Sequence, residues 1–257
     1  MKINLPIRKL GNVTAIAITS PDLGQSLSFY QQLGFREFLR SPFPVSWIQV
    51  TDGALLIMLR HDSNPYIALT YYSTEIDRVV SGLKDAGVAL KEMPGPDKMI
   101  KRYQMQSPDG HIVTLLTHVD GFTQPAGATL LQMPKQDYMN PDKYENKICG
   151  VFGEFAHPVV DLDASISFWE KLGLVVISRF TSPYPLAILS DGLAIVGLHQ
   201  TTHFTQPAIT YFARDMKEKI EKLQATGIKE IEAANGKSNV TLSTPEHQRI
   251  NLFKMGM

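Results

Sequence analysis

Glu154, His157, His199 and His203 are the side chains of this 257-residue sequence whose types and spacing suggest chemistry, with Cys149, Arg249 and Asn251 behind them. His199 and His203 stand four apart, the interval that sets two imidazoles on one face of a zinc-binding helix. They fall instead at the end of an apolar, strand-like run and in a Thr-Thr loop, where that interval has no geometric meaning. Glu154 lies in the run Val151–Pro158. A lone buried carboxylate costs on the order of several kcal/mol, so it must be paired, hydrated or protonated. His199 and Arg249 are its available partners. A Glu154–His199 pair suits general base and acid work, because both groups titrate within reach of neutral pH once perturbed. A structural ion pair would use the same residues. His157 has the opposite strand parity to Glu154 and reads as a packed histidine, while His111 follows Asp109-Gly110 in a turn open to many residue types. Cys149 has no helix N-terminus or obvious base beside it, which makes a poor nucleophile.

The elements that must position these groups have ample material. Hydrophobic residues are 44% and charged ones 19% of the chain, enough for a sizeable core and too apolar for a disordered chain. Lys+Arg and Asp+Glu are 25 each, a balance that argues against a nucleic-acid partner. No run approaches the roughly 20 apolar residues that span a bilayer. Met1–Ser20 breaks into Gly11, Asn12 and Thr14 where a signal peptide would stay apolar. A single cysteine forbids an internal disulfide and fits a reducing, cytoplasmic setting.

The chain repeats itself. Asp22-Leu-Gly-Gln-Ser-Leu-Ser-Phe-Tyr-Gln-Gln-Leu-Gly34 returns as Asp161-Leu-Asp-Ala-Ser-Ile-Ser-Phe-Trp-Glu-Lys-Leu-Gly173, 139 residues on. Ser41-Pro-Phe-Pro44 returns as Ser182-Pro-Tyr-Pro185, Asp52-Gly53 as Asp191-Gly192, and Ser107-Pro-Asp109 as Thr244-Pro-Glu246, at nearly the same offset. A shift held across separate blocks is a duplication. Residues 11–118 and 150–255 are read as two domains, joined by a Pro-, Gly- and Asn-rich linker over 119–149 with a short ordered piece around Leu130-Leu131.

Within a copy, Val13–Thr19 alternates as a half-buried strand. Asp22 caps a helix that Gly34 ends, and three short strands follow, the last two joined at Asp52-Gly53. The order then recurs. Tyr66–Tyr72 is a strand, Thr74 with Asp77 predicts a capped helix up to Gly87, and Val88–Lys91, Met99–Met105 and Ile112–Thr117 close the copy. Each copy is two βαβββ units, so the fold class is α+β with four such units.

This arrangement resembles the vicinal oxygen chelate family, the glyoxalase, bleomycin-resistance and extradiol-dioxygenase group. The residues that carry the resemblance are the Asp-Leu-x-x-Ser-Leu/Ile-x-Phe-aromatic…Leu-Gly block, the Leu-x-x-x-Gly-Val/Ile helix ends, and Ser-Pro-Asp-Gly-His-Ile-Val-Thr-Leu. It implies tandem cup-shaped domains that hold a ligand and a divalent metal in their mouths. The implied metal-bearing positions fall on Ala15, Met58, Ala68 and Thr114 in the first copy and on Glu154, Gly197, Ala208 and Asn251 in the second. Catalysis needs about three N or O donors with an open position, and neither set supplies them. No metal or other cofactor is expected.

Strand parity then assigns the inner faces. The first holds Ala15, Ala17, Thr19, Leu56, Met58, Arg60, Ala68, Thr70, Tyr72, Thr114 and Leu116, a small-residue floor with Arg60 placed to meet a carboxylate or phosphate. The second holds Glu154, Ala156, Ile195, Gly197, His199, Ala208, Thr210, Phe212, Arg249, Asn251 and Phe253. Met58, Arg60, Tyr72, Thr114, Arg249, Asn251 and Phe253 are the ligand-binding candidates, Glu154 and His199 the catalytic ones. Phe43 and Tyr184, in equivalent proline-flanked loops, are candidate lips or packing residues. The expected role is metal-free binding of a small, partly apolar molecule, by a monomer or homodimer. The alternatives are a lyase or ring-cleaving dioxygenase with other ligands, and a scaffold filled by its own side chains.

Overall fold

All four expected βαβββ units form in the computed structural model, which describes residues 8–43, 45–94, 99–127, 129, 131, 146–228, 231–234 and 239–255. The first is β1 (Val13–Ser20), α1 (Leu23–Gln32), β2 (Arg36–Ser41), β3 (Trp47–Thr51) and β4 (Leu56–His61). The second is β5 (Ile67–Ser73), α2 (Ile76–Asp85), β6 (Lys91–Met93), β7 (Arg102–Gln106) and β8 (Ile112–Thr117). The third is β9 (Val151–Pro158), α3 (Leu162–Lys171), β10 (Val175–Phe180), β11 (Leu186–Ser190) and β12 (Ile195–His199). The fourth is β13 (Ala208–Ala213), α4 (Met216–Ala225), β14 (Ile231–Ala234), β15 (Asn239–Ser243) and β16 (Arg249–Lys254). Two eight-stranded sheets result, ordered β2-β3-β4-β1-β5-β8-β7-β6 and β10-β11-β12-β9-β13-β16-β15-β14. Each mixes parallel pairs, such as β5 with β8 and β13 with β16, with antiparallel outer hairpins. No helix among the described residues is long and apolar enough to cross a membrane.

The repeated residues do the same local work in both copies. Asp22 accepts the Gln25 N–H at 2.9 Å and Asp161 the Ala164 N–H at 3.0 Å, so each helix starts on an aspartate cap. Gly34 and Gly173 end those helices with φ of 85° and 98°, a region favourable to glycine. Asp52 Oδ1 accepts the N–H groups of Ala54 and Leu55, and Asp191 Oδ1 those of Leu193 and Ala194, which fixes both hairpin turns.

The second unit departs from expectation at its helix. Thr74 is not the cap: β5 runs through Ser73, Glu75 takes the N-cap position without a side-chain bond, and Ser73 Oγ accepts the Glu75 N–H at 3.1 Å. Val88 is likewise not a strand residue. Its N–H bonds Leu83 O at 2.9 Å, closing the helix end, and β6 starts only at Lys91. β7 begins at Arg102, three residues later than expected. Leu130 lies outside the described residues.

While the sheets follow the two sequence halves, the compact units do not. One unit comprises Met1–Ala17, Ile67–Gln124 and Phe155–Pro207; the other comprises Ile18–Tyr66, Pro125–Glu154 and Ala208–Met257. In the first, Asp109 accepts the Val160 N–H at 2.7 Å and the Ser165 hydroxyl. The buried Tyr71 hydroxyl faces Asp191, and burial together with that carboxylate pushes its pKa well up. In the second unit, Ser26 donates to Glu246 and the Tyr211 hydroxyl donates to Asp52 at 2.6 Å. The four pairings are repeat equivalents: Ser165 and Ser26, Asp109 and Glu246, Tyr71 and Tyr211, Asp191 and Asp52. Each unit is thus closed by residues from both halves of the chain. In the second unit Asn146 adds a further tie, its Nδ2 donating to Leu33 O at 2.9 Å while its Oδ1 accepts Ile148 and Cys149 N–H groups.

Candidate functional site

The hairpin β3–β4 sets Gln49 opposite Met58 and Trp47 opposite Arg60. Directly opposed residues share a sheet face. The other face is the aliphatic set Ile48, Val50, Ile57 and Leu59, which suits the packing of α1 on these strands. Met58 is buried, and Arg60 is half-buried with Nη2 3.3 Å from Asp62 Oδ2. Gln49 was missed in the sequence, where it stands inside the apolar run Trp47-Ile-Gln-Val50 and reads as an ordinary strand residue.

Across β5 and β8, Thr70 pairs with Thr114 and Tyr72 with Leu116, as parity predicts. Thr114 and Tyr72 are both buried. The Tyr72 ring takes an edge-to-face contact from Phe122 at 5.0 Å, and Gln124 Oε1 accepts the Thr14 N–H at 2.9 Å. The chain just after β8 therefore folds back onto β1 and β5.

Ala208 pairs with Arg249, Thr210 with Asn251 and Phe212 with Phe253 along β13 and β16. Asn251 is buried and its Oδ1 accepts the Thr241 hydroxyl at 3.0 Å. The rings of Phe212 and Phe253 meet edge to face at 6.3 Å. Phe212 also lies over Gly153, where a Cβ would come within 2.3 Å of the ring, so any larger residue there would have to displace Phe212. Glu154 follows it, 4% exposed.

His199 ends β12, buried, within a group of rings. Its Nδ1 lies 3.2 Å from the Tyr184 hydroxyl, Phe204 packs against it edge to face at 5.5 Å, and His203 adds a fourth ring beside Tyr184. The proline-flanked loop thus places Tyr184 on His199, whereas its repeat partner Phe43 is 76% exposed. His157 is packed, as expected, among Phe155, Trp169 and His111 at 4.4, 5.4 and 4.5 Å. His111 does more than occupy a turn: its Nε2 is 2.6 Å from Pro158 O. Burial, then the neighbouring His111 and His199, hold the His157 pKa well below the usual range, and burial lowers that of His111. Cys149 is buried, and burial with the nearby Asp52 charge pushes its thiol pKa far up, away from nucleophilic use.

The metal positions implied by the resemblance can be tested on their donors. Alanine and glycine offer none, Met58 a thioether, Thr114 a hydroxyl and Asn251 an amide whose oxygen already accepts Thr241. Only Glu154 brings a carboxylate. Among the described residues, no three His, Cys, Asp or Glu side chains converge as an ion would require. This donor set does not fit the metal.

Two eight-stranded sheets, each built from a pair of βαβββ units, define a glyoxalase-like protein. Residues 12–115 match the model of the Glyoxalase/Bleomycin resistance protein/Dioxygenase superfamily, and the second half of the chain repeats the motifs of that segment. No curated protein matches the chain. Among solved structures, homoprotocatechuate 2,3-dioxygenase from Arthrobacter globiformis is 15% identical with a TM-score of 0.62, covering 98% of this chain and 82% of the other. A catechol 2,3-dioxygenase is 11% identical with a TM-score of 0.59, covering 96% and 87%. A variant of homoprotocatechuate 2,3-dioxygenase from Brevibacterium fuscum is 15% identical with a TM-score of 0.63, covering 98% and 73%. At such identities the likeness is one of fold.

Proposed function

We propose that this chain binds a small, partly apolar molecule on the inner faces of its sheets without a catalytic metal. The carrying observation is the donor set: alanine, glycine and methionine stand where the family's ligands would converge, with one carboxylate among eight positions. Met58, Arg60, Tyr72 and Thr114 are the proposed contacts on the first sheet, and Arg249, Asn251 and Phe253 on the second. Glu154 and His199 are the candidates for proton transfer to or from a bound molecule. Small and apolar side chains with a few placed polar groups are the usual lining of a small-molecule site.

Two measurements on the purified full chain test this. Elemental analysis is expected to find substoichiometric Zn, Ni, Mn and Fe, and a stoichiometric content of any of them overturns the proposal. A thermal-shift screen of small aromatic and amphipathic compounds is expected to raise Tm, since a ligand at a hundredfold excess over Kd adds about 2.7 kcal/mol to the folded state. A flat screen favours a scaffold filled by its own side chains.

A further inference from the structure

We infer that the β3–β4 hairpin carries a ligand subsite in which the Gln49 amide is the recognition element, and that this subsite takes a flat aromatic carboxylate bearing a carboxamide. This rests on, and sharpens, the small-molecule reading above. Gln49 has no solvent exposure, and among the described residues no group hydrogen-bonds either its Oε1 or its Nε2. A primary amide brings two donors and an acceptor that water would otherwise satisfy, and burying even one unmade costs the folding equilibrium roughly tenfold or more. Leucine or methionine at this position would pack without that cost. The neighbouring polar residue on the same hairpin is treated differently: Thr51 Oγ1 donates to Leu55 O at 2.7 Å and accepts the Gly53 N–H at 3.0 Å. The unmade bonds at Gln49 therefore mark a group kept for a partner from outside the chain.

The surroundings define that partner. A carboxamide is the complement of a carboxamide, one donor and one acceptor on each side forming two parallel bonds. Beside Gln49, Met58 supplies an adaptable thioether, which favours aromatic rings. Two residues along the same face, about 6.7 Å away by strand geometry, stand Trp47 and Arg60. Arg60 is half-buried, and its guanidinium carries five N–H donors in a fork matched to a carboxylate. An amide without exposure, a thioether beside it and a cation two residues along the same face together read as an aromatic ring with a carboxamide at one end and a carboxylate at the other.

Calorimetry on the full chain with three probes tests the assignment: 4-carbamoylbenzoate, benzoate lacking the amide, and benzamide lacking the acid. The wild-type chain is expected to bind 4-carbamoylbenzoate most tightly. Gln49→Met should weaken 4-carbamoylbenzoate and benzamide at least tenfold and leave benzoate unchanged, with Gln49→Leu as the second variant should methionine not fold. Arg60→Met should show the converse, weakening the two acids only. Without ligand, Gln49→Met is expected to melt roughly 2–4 °C higher, because the orphaned amide is gone. Equal binding of 4-carbamoylbenzoate by wild type and both Gln49 variants overturns the subsite, as does wild-type protein that ignores all three probes. Neither result touches the broader reading, which fails on a stoichiometric metal content or on a silent screen of small molecules.

Discussion

At the scale of single residues, His157 sets the clearest solution behaviour. It is 1% exposed, ringed by Phe155, Trp169 and His111, with neither ring nitrogen hydrogen-bonded among the described residues. Its folded pKa lies well below 6.5 because burial disfavours the cation and His111 and His199 oppose it further. The unfolded chain therefore binds the proton first as pH falls. Stability is full above about pH 6.5 and declines below it, by about 1.4 kcal/mol per pH unit for this group until the folded pKa is reached. Urea melts between pH 5 and 8 are expected to show that acid limb, and His157→Phe should flatten it. An unchanged limb in the variant would assign the effect elsewhere, first to His111, whose pKa is also lowered by burial. Sequence parity identified His157 as a packed residue, yet its partner His111 lies 46 positions away and could not be found from any local signal. Gln49 escaped for a different reason. It lies on a strand that carries none of the implied metal positions, and a glutamine flanked by isoleucine and valine carries no periodicity of its own.

At the scale of elements, the duplicated blocks told the truth wherever the structure is determined by neighbours in sequence. Asp22 and Asp161 cap α1 and α3 with nearly identical bonds of 2.9 and 3.0 Å, because each aspartate precedes a helix of the same pattern. Asp22→Ala and Asp161→Ala are each expected to cost about 1 kcal/mol, and the two losses should add, since the caps are far apart in sequence and share no partner. Chemical denaturation of the single and double variants checks this. The capping motif expected at Thr74 and Asp77 failed because β5 keeps its parallel pairing with β8 through Ser73↔Thr117, and a strand bonded to its neighbour outweighs a local cap. The late starts of β6 and β7 have the same origin: strand ends are set by pairing across the sheet, which no single run of residues encodes.

At the scale of the whole molecule, four βαβββ units and two sheets follow from the repeat, but the grouping into compact units does not. Ser26 with Glu246 and Tyr211 with Asp52 are separated by 220 and 159 residues, and only side-chain geometry reveals that they meet. Because each unit combines segments from both halves, a chain cut within 132–145 should stay together. A protease site inserted there is expected to give cleaved protein that elutes as a single 28.7 kDa species and melts cooperatively. Separate elution of two fragments under native conditions would show that each half holds itself.

The same interleaving bears on how the protein comes into being. Neither unit is complete until residues beyond Phe155 have been made, since both recruit the third or fourth βαβββ segment. Tyr30 and Tyr71 end fully sequestered, with the carboxylates of Glu246 and Asp191, both made later, acting on their hydroxyls. Closure includes encounters across more than a hundred positions, such as Ser26 with Glu246, the kind that slow folding most. Synthesis thus sets a waiting period in which half of a duplicated protein depends on the arrival of its own copy.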